Sequence, residues 1–184
     1  MYNTKMQENT KILYSKEEVK EKVEELASKI ATDYAGKNPV LVGILNGAFI
    51  IMADLTRALY EKGLTNVEVG FMSVSSYGTG TEYLGETKVV QDIKKEIAGK
   101  DVLVVEDIVD TGHTLTFIKK HLENKNPASL RILAFLDKKE KREVKVKVDY
   151  IGFTVIGTPW IEGYGLDGGE FGRGRPSIAE KILP

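Results

Sequence analysis

The residues best suited to chemistry lie in one run, VLVVEDIVDTGHT at positions 102–114. An apolar stretch leads into two adjacent carboxylates, Glu106 and Asp107, then two apolar residues, then Asp110, Thr111, Gly112, His113 and Thr114 at the start of a helical pattern. In an open α/β sheet, ligands bind beyond the carboxyl ends of the strands. The loop at 110–114 belongs at that edge. Its glycine lets the backbone turn tightly with successive N–H groups pointing inward, its threonines add hydroxyls, and the helix that follows contributes its positive end. Such a loop is a cradle for a phosphate monoester. Glu106 and Asp107 would repel the same anion, and a divalent cation bridging to sugar hydroxyls or phosphates resolves the conflict. Mg²⁺ suits oxygen ligands of this kind. The run points to metal-dependent binding of a phosphorylated sugar, against the plainer alternative of a strand-to-helix loop with acidic capping residues. No GxxxxGK[ST] run occurs and no GxGxxG follows a strand, so neither a P-loop nor a dinucleotide fingerprint competes.

The elements that must position this run are readable from periodicity. Ser15 and Glu18 form a capping box, after which Val19, Val23, Leu26, Ala27, Ile30 and Tyr34 make one helical stripe that Gly36 ends. Residues 40–45 are apolar without alternation, as in a parallel strand covered on both faces. A helix over 48–60 and a strand over 67–74 follow, then a mobile loop over 75–85 with three glycines. A strand at 101–105, a helix at 114–122 and a strand at 130–136 complete the rhythm. The pattern predicts an α/β fold, an open doubly wound and mostly parallel sheet flanked by helices. Residues 138–147 carry six basic side chains, but Val144, Val146 and Val148 alternate with them as on a half-exposed strand. Lys138 is the exception, because it directly follows a buried strand. Residues 157–174 include seven glycines and also Trp160, Tyr164 and Phe171, too polar for core yet too aromatic for a linker.

Composition bounds the function. With 184 residues the chain reads as one domain, and 26 Lys and Arg against 27 Asp and Glu give a net charge of -1, which disfavours nucleic acid as a partner. The absence of cysteine excludes a disulfide framework, a thiolate metal site and a cysteine nucleophile. Neither an export signal nor a membrane span is expected, and the cytoplasm is the expected compartment.

The run at 102–114 resembles the phosphoribosyl pyrophosphate (PRPP) motif of the type I phosphoribosyltransferases. SSYG at 75–78, LDK at 136–138, DYIGF at 149–153 and GYGLD at 163–167 narrow the resemblance to the hypoxanthine-guanine phosphoribosyltransferases, over residues 12–175 or so. The resemblance implies a single domain with a core over about 15–156, and a small hood formed by residues 157–184 with the N-terminal residues. It implies that residues Asp110, Thr111, Gly112, His113 and Thr114 hold the 5'-phosphate, that Glu106 and Asp107 bind ribose hydroxyls and Mg²⁺, and that Asp110 is the general acid/base at purine N7. Lys138 would donate to the 6-oxo group, Trp160 would stack on the base, and the Ile161 backbone would lie beside it. Asp167 would border the base and bind a second Mg²⁺, Arg173 would reach the pyrophosphate, and Ser76 and Tyr77 would belong to a closing lid. Asn46 and Gly47 stand where many relatives have Lys-Gly in the pyrophosphate loop, Glu162 replaces an apolar residue, and the tail after Asp167 is unusually rich in glycine.

The activity so implied is transfer of the phosphoribosyl group from PRPP to hypoxanthine or guanine in purine salvage, by a homodimer or homotetramer whose partners are small molecules, not nucleic acid or membrane. The alternatives are a phosphoribosyltransferase for xanthine or another base, a PRPP-sensing regulator, and a sugar-phosphate binding module without turnover.

Overall fold

A computed structural model describes residues 10–77, 86–169 and 171–182. In chain order the elements are β1 (Thr10–Tyr14), α1 (Lys16–Asp33), β2 (Val40–Leu45), α2 (Phe49–Glu61), β3 (Glu68–Tyr77), β4 (Glu86–Gln91), β5 (Asp101–Val109), α3 (His113–Glu123), β6 (Ser129–Asp137), β7 (Tyr150–Thr154), β8 (Ile161–Glu162) and β9 (Ile178–Lys181), with a short 3₁₀ turn at Lys139–Lys141. Ser15 starts α1 by a reciprocal cap. Its Oγ accepts the Glu18 N–H at 3.2 Å while its own N–H donates to Glu18 Oε2 at 2.8 Å. The apolar stripe of α1 is buried as the spacing predicts.

The large sheet runs in the order β4-β3-β2-β5-β6-β7, and only the β3–β4 pair is antiparallel. The middles of its central strands are apolar without alternation because helices cover both faces. Leu41, Leu103, Val105 and Leu133 pack towards α1 and α2, while Val40, Val42, Val102, Val104 and Ile132 join Leu115, Ile118 and Leu122 of α3. The chain winds outward from β2 to β3 and β4, then returns to place β5 on the other side of β2. The switch point therefore lies between β2 and β5, where open α/β sheets bind ligands. A second, antiparallel sheet in the order β1-β9-β8 joins the two ends of the chain.

Four expectations need correction. Ser75, Ser76 and Tyr77 continue β3 and pair with Lys88, Thr87 and Glu86, so the expected loop begins later; its residues 78–85 lie outside the described ones. Residues 144–148 form no strand, and the alternation arises because Val146 and Val148 of an irregular segment lean on the second core cluster. The glycine-rich tail does contribute to the core, through Ile161, Tyr164 and Leu166. The strand expected at 101–105 also runs on to Val109, so Glu106 and Asp107 belong to its end.

Candidate active site

The end of β5 carries Glu106 and Asp107 into a cavity of about 310 Å³ lined also by Gly47, Thr114, Leu166, Asp167 and Arg173. Gly47, in the loop after β2, is there because a Cβ would overlap the Asp107 carboxylate. Asp107 accepts the Ile108 N–H at 2.8 Å, whereas Glu106 Oε2 is buried with no hydrogen-bond partner. Burial, and next the neighbouring Asp107 charge, push the Glu106 carboxyl well above its usual range. Burial likewise raises Asp107 to about 6, against the hydrogen bonds and the Arg173 charge that favour its ionised form. Two carboxyls held this way are oxygen ligands in want of a cation. Among the described residues no group of three acidic or histidine side chains forms a closed metal cage.

Beyond them the chain turns at Gly112, whose φ of 93° is left-handed, the region that favours glycine, and which caps α3 without a side-chain bond. Asp110, Thr111, Gly112 and Thr114 line a second cavity, of about 110 Å³, together with Glu106. His113 points elsewhere, its Nε2 lying 2.9 Å from Glu143 Oε2. Asp110 Oδ1 is buried without a partner, and Oδ2 accepts from Lys141 Nζ at 3.3 Å.

A third cavity, of about 270 Å³, is bounded by Asp110, Lys138, Lys141, Trp160, Ile161 and Asp167. Lys138 is 6% exposed and donates to the Pro159 carbonyl at 2.8 Å. Burial lowers its amine pKa, with Asp110 opposing. Trp160, 46% exposed, stands at the rim.

The structure thus gathers Glu106, Asp107, Asp110, Thr111, Gly112, Thr114, Gly47, Lys138, Trp160, Ile161, Asp167 and Arg173 around connected cavities. Asn46 is exposed and lines none of the three, while Ser76 and Tyr77 end β3, where they pair with the edge strand β4. Arg173 and Asp167 form an ion pair with each other, and Arg173 also donates to the Gly165 carbonyl at 2.7 Å. Glu162 turns away from the third cavity: a Cβ on Gly168 would overlap its carboxylate, and Arg175 lies 3.5 Å from Oε1. The unusual glutamate and the unusual glycines are therefore one packing solution.

Reasoning from sequence missed Asp137, Lys141 and Arg142. Asp137 is 2% exposed and accepts from Arg142 at 2.5 Å, and Arg142 Nε donates to the Asp110 carbonyl at 3.1 Å. The available signal was an aspartate closing a buried strand five residues before an arginine, hidden inside a charged stretch that reads as solvated.

Comparison with known proteins gives the same direction. The phosphoribosyl transferase domain model matches residues 9–167. The hypoxanthine-guanine phosphoribosyltransferase of Aquifex aeolicus is 46% identical over 169 residues, covering 91% of this chain and 92% of that protein. A crystal structure of a hypoxanthine phosphoribosyltransferase from Staphylococcus aureus superposes with a TM-score of 0.90 at 35% identity, over 100% of this chain and 97% of that one. The Trypanosoma cruzi hypoxanthine phosphoribosyl transferase, solved to address how its C-terminal region affects oligomeric state and activity, gives 0.86 at 37% identity over 93% and 90%. The chain belongs to the phosphoribosyltransferase family, on its hypoxanthine-guanine branch.

Proposed function

We propose that this chain transfers the 5-phosphoribosyl group of PRPP to hypoxanthine or guanine, releasing pyrophosphate and forming the nucleoside 5'-monophosphate for purine salvage. The carrying observation is that three cavities share walls in the order the reaction needs. Glu106 and Thr114 border both the phosphate-loop cavity and the one beneath Gly47, while Ile108 and Asp110 border both the phosphate-loop cavity and the one beneath Trp160. A ribose held at the junction would have its leaving group on one side and the base on the other.

In this reading the N–H groups of residues 111–114 bind the 5'-phosphate. Lys138 exchanges the Pro159 carbonyl for the purine 6-oxo group, and Trp160 stacks on the ring beside the Ile161 backbone. As the bond from C1 to pyrophosphate breaks and the bond to N9 forms, Asp110 takes the proton from N7. Arg173 and Asp167, which neutralise each other here, are the groups that turn to pyrophosphate and its counter-ion. Glu106 and Asp107 fit Mg²⁺, with an unpartnered buried oxygen and an all-oxygen donor set, and Asp167 would hold a second ion. When bound, Mg²⁺ offsets the charge on the departing pyrophosphate. The segment at 75–85, with Ser76 and Tyr77, is the proposed lid that excludes water. The reading includes a homodimer or homotetramer in the cytoplasm.

The test is pyrophosphate release from Mg²⁺ and PRPP with hypoxanthine, guanine, xanthine or adenine offered in turn. Release with hypoxanthine or guanine and none with adenine is expected; equal release with adenine, or none with either oxopurine, overturns the reading.

A further inference from the structure

The phosphate loop is held from behind by residues that the reaction does not use. Asp137 ends β6 as a buried carboxylate, and Arg142 neutralises it at 2.5 Å. Buried ion pairs are weak sources of stability, since desolvation offsets most of the attraction. This one has a geometric consequence. The same edge of the guanidinium that meets Asp137 also donates, through Nε, to the Asp110 carbonyl at 3.1 Å. The next two residues continue the contact: the Glu143 and Val144 N–H groups both donate to the Thr111 carbonyl, at 2.9 and 3.0 Å. Gly112 lies against this wall so closely that a Cβ would stand 2.7 Å from the Val144 carbonyl oxygen and 2.9 Å from Arg142 Cδ.

A trans peptide is planar, with its C=O and N–H pointing in opposite directions. Tying back the carbonyls of Asp110 and Thr111 therefore turns the N–H groups of Thr111 and Gly112 the other way, towards the cavity those residues line. Residues 142–144 lie outside any helix or strand and are held by these bonds and the Asp137 pair, together with the Arg142 N–H bond to the Lys139 carbonyl at 3.1 Å and the His113–Glu143 contact at 2.9 Å.

We infer that Arg142, locked by Asp137, is a positioning residue that pre-orients the amides of the phosphate loop for a phosphate monoester. The inference rests on the phosphoribosyl reading above. An ammonium is a point charge and cannot reproduce the two directed bonds of one guanidinium edge, so lysine is a poor replacement here.

The experiment compares GMP and guanosine binding by calorimetry in the full-length wild type, Arg142→Met, Arg142→Lys and Asp137→Asn, together with kcat and KM for PRPP. The two ligands differ only in the phosphate, so a general loss of packing moves both while a misaligned loop moves GMP alone. Expected is a loss of GMP affinity of roughly ten- to a hundredfold in Arg142→Met, a rise in KM for PRPP of similar size, and guanosine affinity within a factor of two or so of wild type. Arg142→Lys and Asp137→Asn should show the same split, and they decide the matter if Arg142→Met does not fold. Unchanged GMP affinity in folded variants, or parallel losses for GMP and guanosine, overturns the inference. A wild type that binds neither ligand removes the underlying reading instead.

Discussion

Burial raises the carboxyls of Glu106 and Asp107, and the sign of that shift sets how the protein responds to pH. A carboxyl with a raised value binds its proton more tightly folded than unfolded. Its contribution to stability is complete below the ordinary value of about 4 and is lost as pH rises through the folded one, about 6 for Asp107. The ligand-free protein should therefore melt at a lower temperature at pH 8 than at pH 5 if these groups dominate, and Glu106→Gln, which removes one buried charge, should flatten that slope. On the proposed reading, Mg²⁺ with PRPP would act in the opposite sense by engaging the ionised pair, and its stabilising effect should be larger at pH 8. Thermal melts of both proteins with and without Mg²⁺ and PRPP check this; identical pH slopes for wild type and Glu106→Gln would remove the role assigned to the pair. At this scale the sequence shows the conflict between acidic residues and an anion cradle, because both lie in one run. It does not show that Arg142 serves Asp110, because that contact joins separate segments, nor that Arg173 is paired with Asp167, because the glycine-rich turns between them follow no readable period.

The elements that bring the site together are the loop after β2, the end of β5 and the segment after β8, and they meet at positions where no side chain fits. A Cβ on Gly47 would overlap the Asp107 carboxylate, and one on Gly165 would overlap the Gly47 carbonyl. Gly47→Ala should therefore displace the Asp107 carboxylate by enough to lower kcat/KM for PRPP by roughly 10²-fold, since an ångström of misplacement costs about that much. The melting temperature should change little, because Gly47 lies in a loop outside both core clusters. Steady-state kinetics beside a melting curve separate the two effects. Helix α1 was legible because its capping box and its stripe are local. The segment at 144–148 was misleading because an irregular chain that lays alternate valines on a core has the same spacing as a strand.

On the scale of the molecule, the large sheet carries Glu106, Asp107 and the loop proposed for the phosphate, while the β1-β9-β8 sheet supports, through Ile161, the wall of the cavity proposed for the base. Ala179, fully buried in β9, pairs with Ile12 of β1 and with Glu162 of β8, so it joins both ends of the chain. Ala179→Pro removes a ladder N–H from the central strand of that sheet, where proline has no place. The expected result is a large loss of turnover and a raised KM for the purine, with a smaller change in PRPP affinity, as measured by kinetics and calorimetry. An equal loss of PRPP affinity would show that the small sheet is not a separate support. The sequence by itself determined the doubly wound core, the phosphate loop and the acidic pair, because each depends on near neighbours in the chain and on the period of the apolar residues. Only the tertiary structure decided the closure of the two ends into one small sheet, the approach of Gly47 to Asp107, the fit of Glu162 among glycines and the Asp137–Arg142 brace. The first two depend on which distant segments come into contact, and the last two on irregular turns with no period to read, so packing of the whole chain is what selects them.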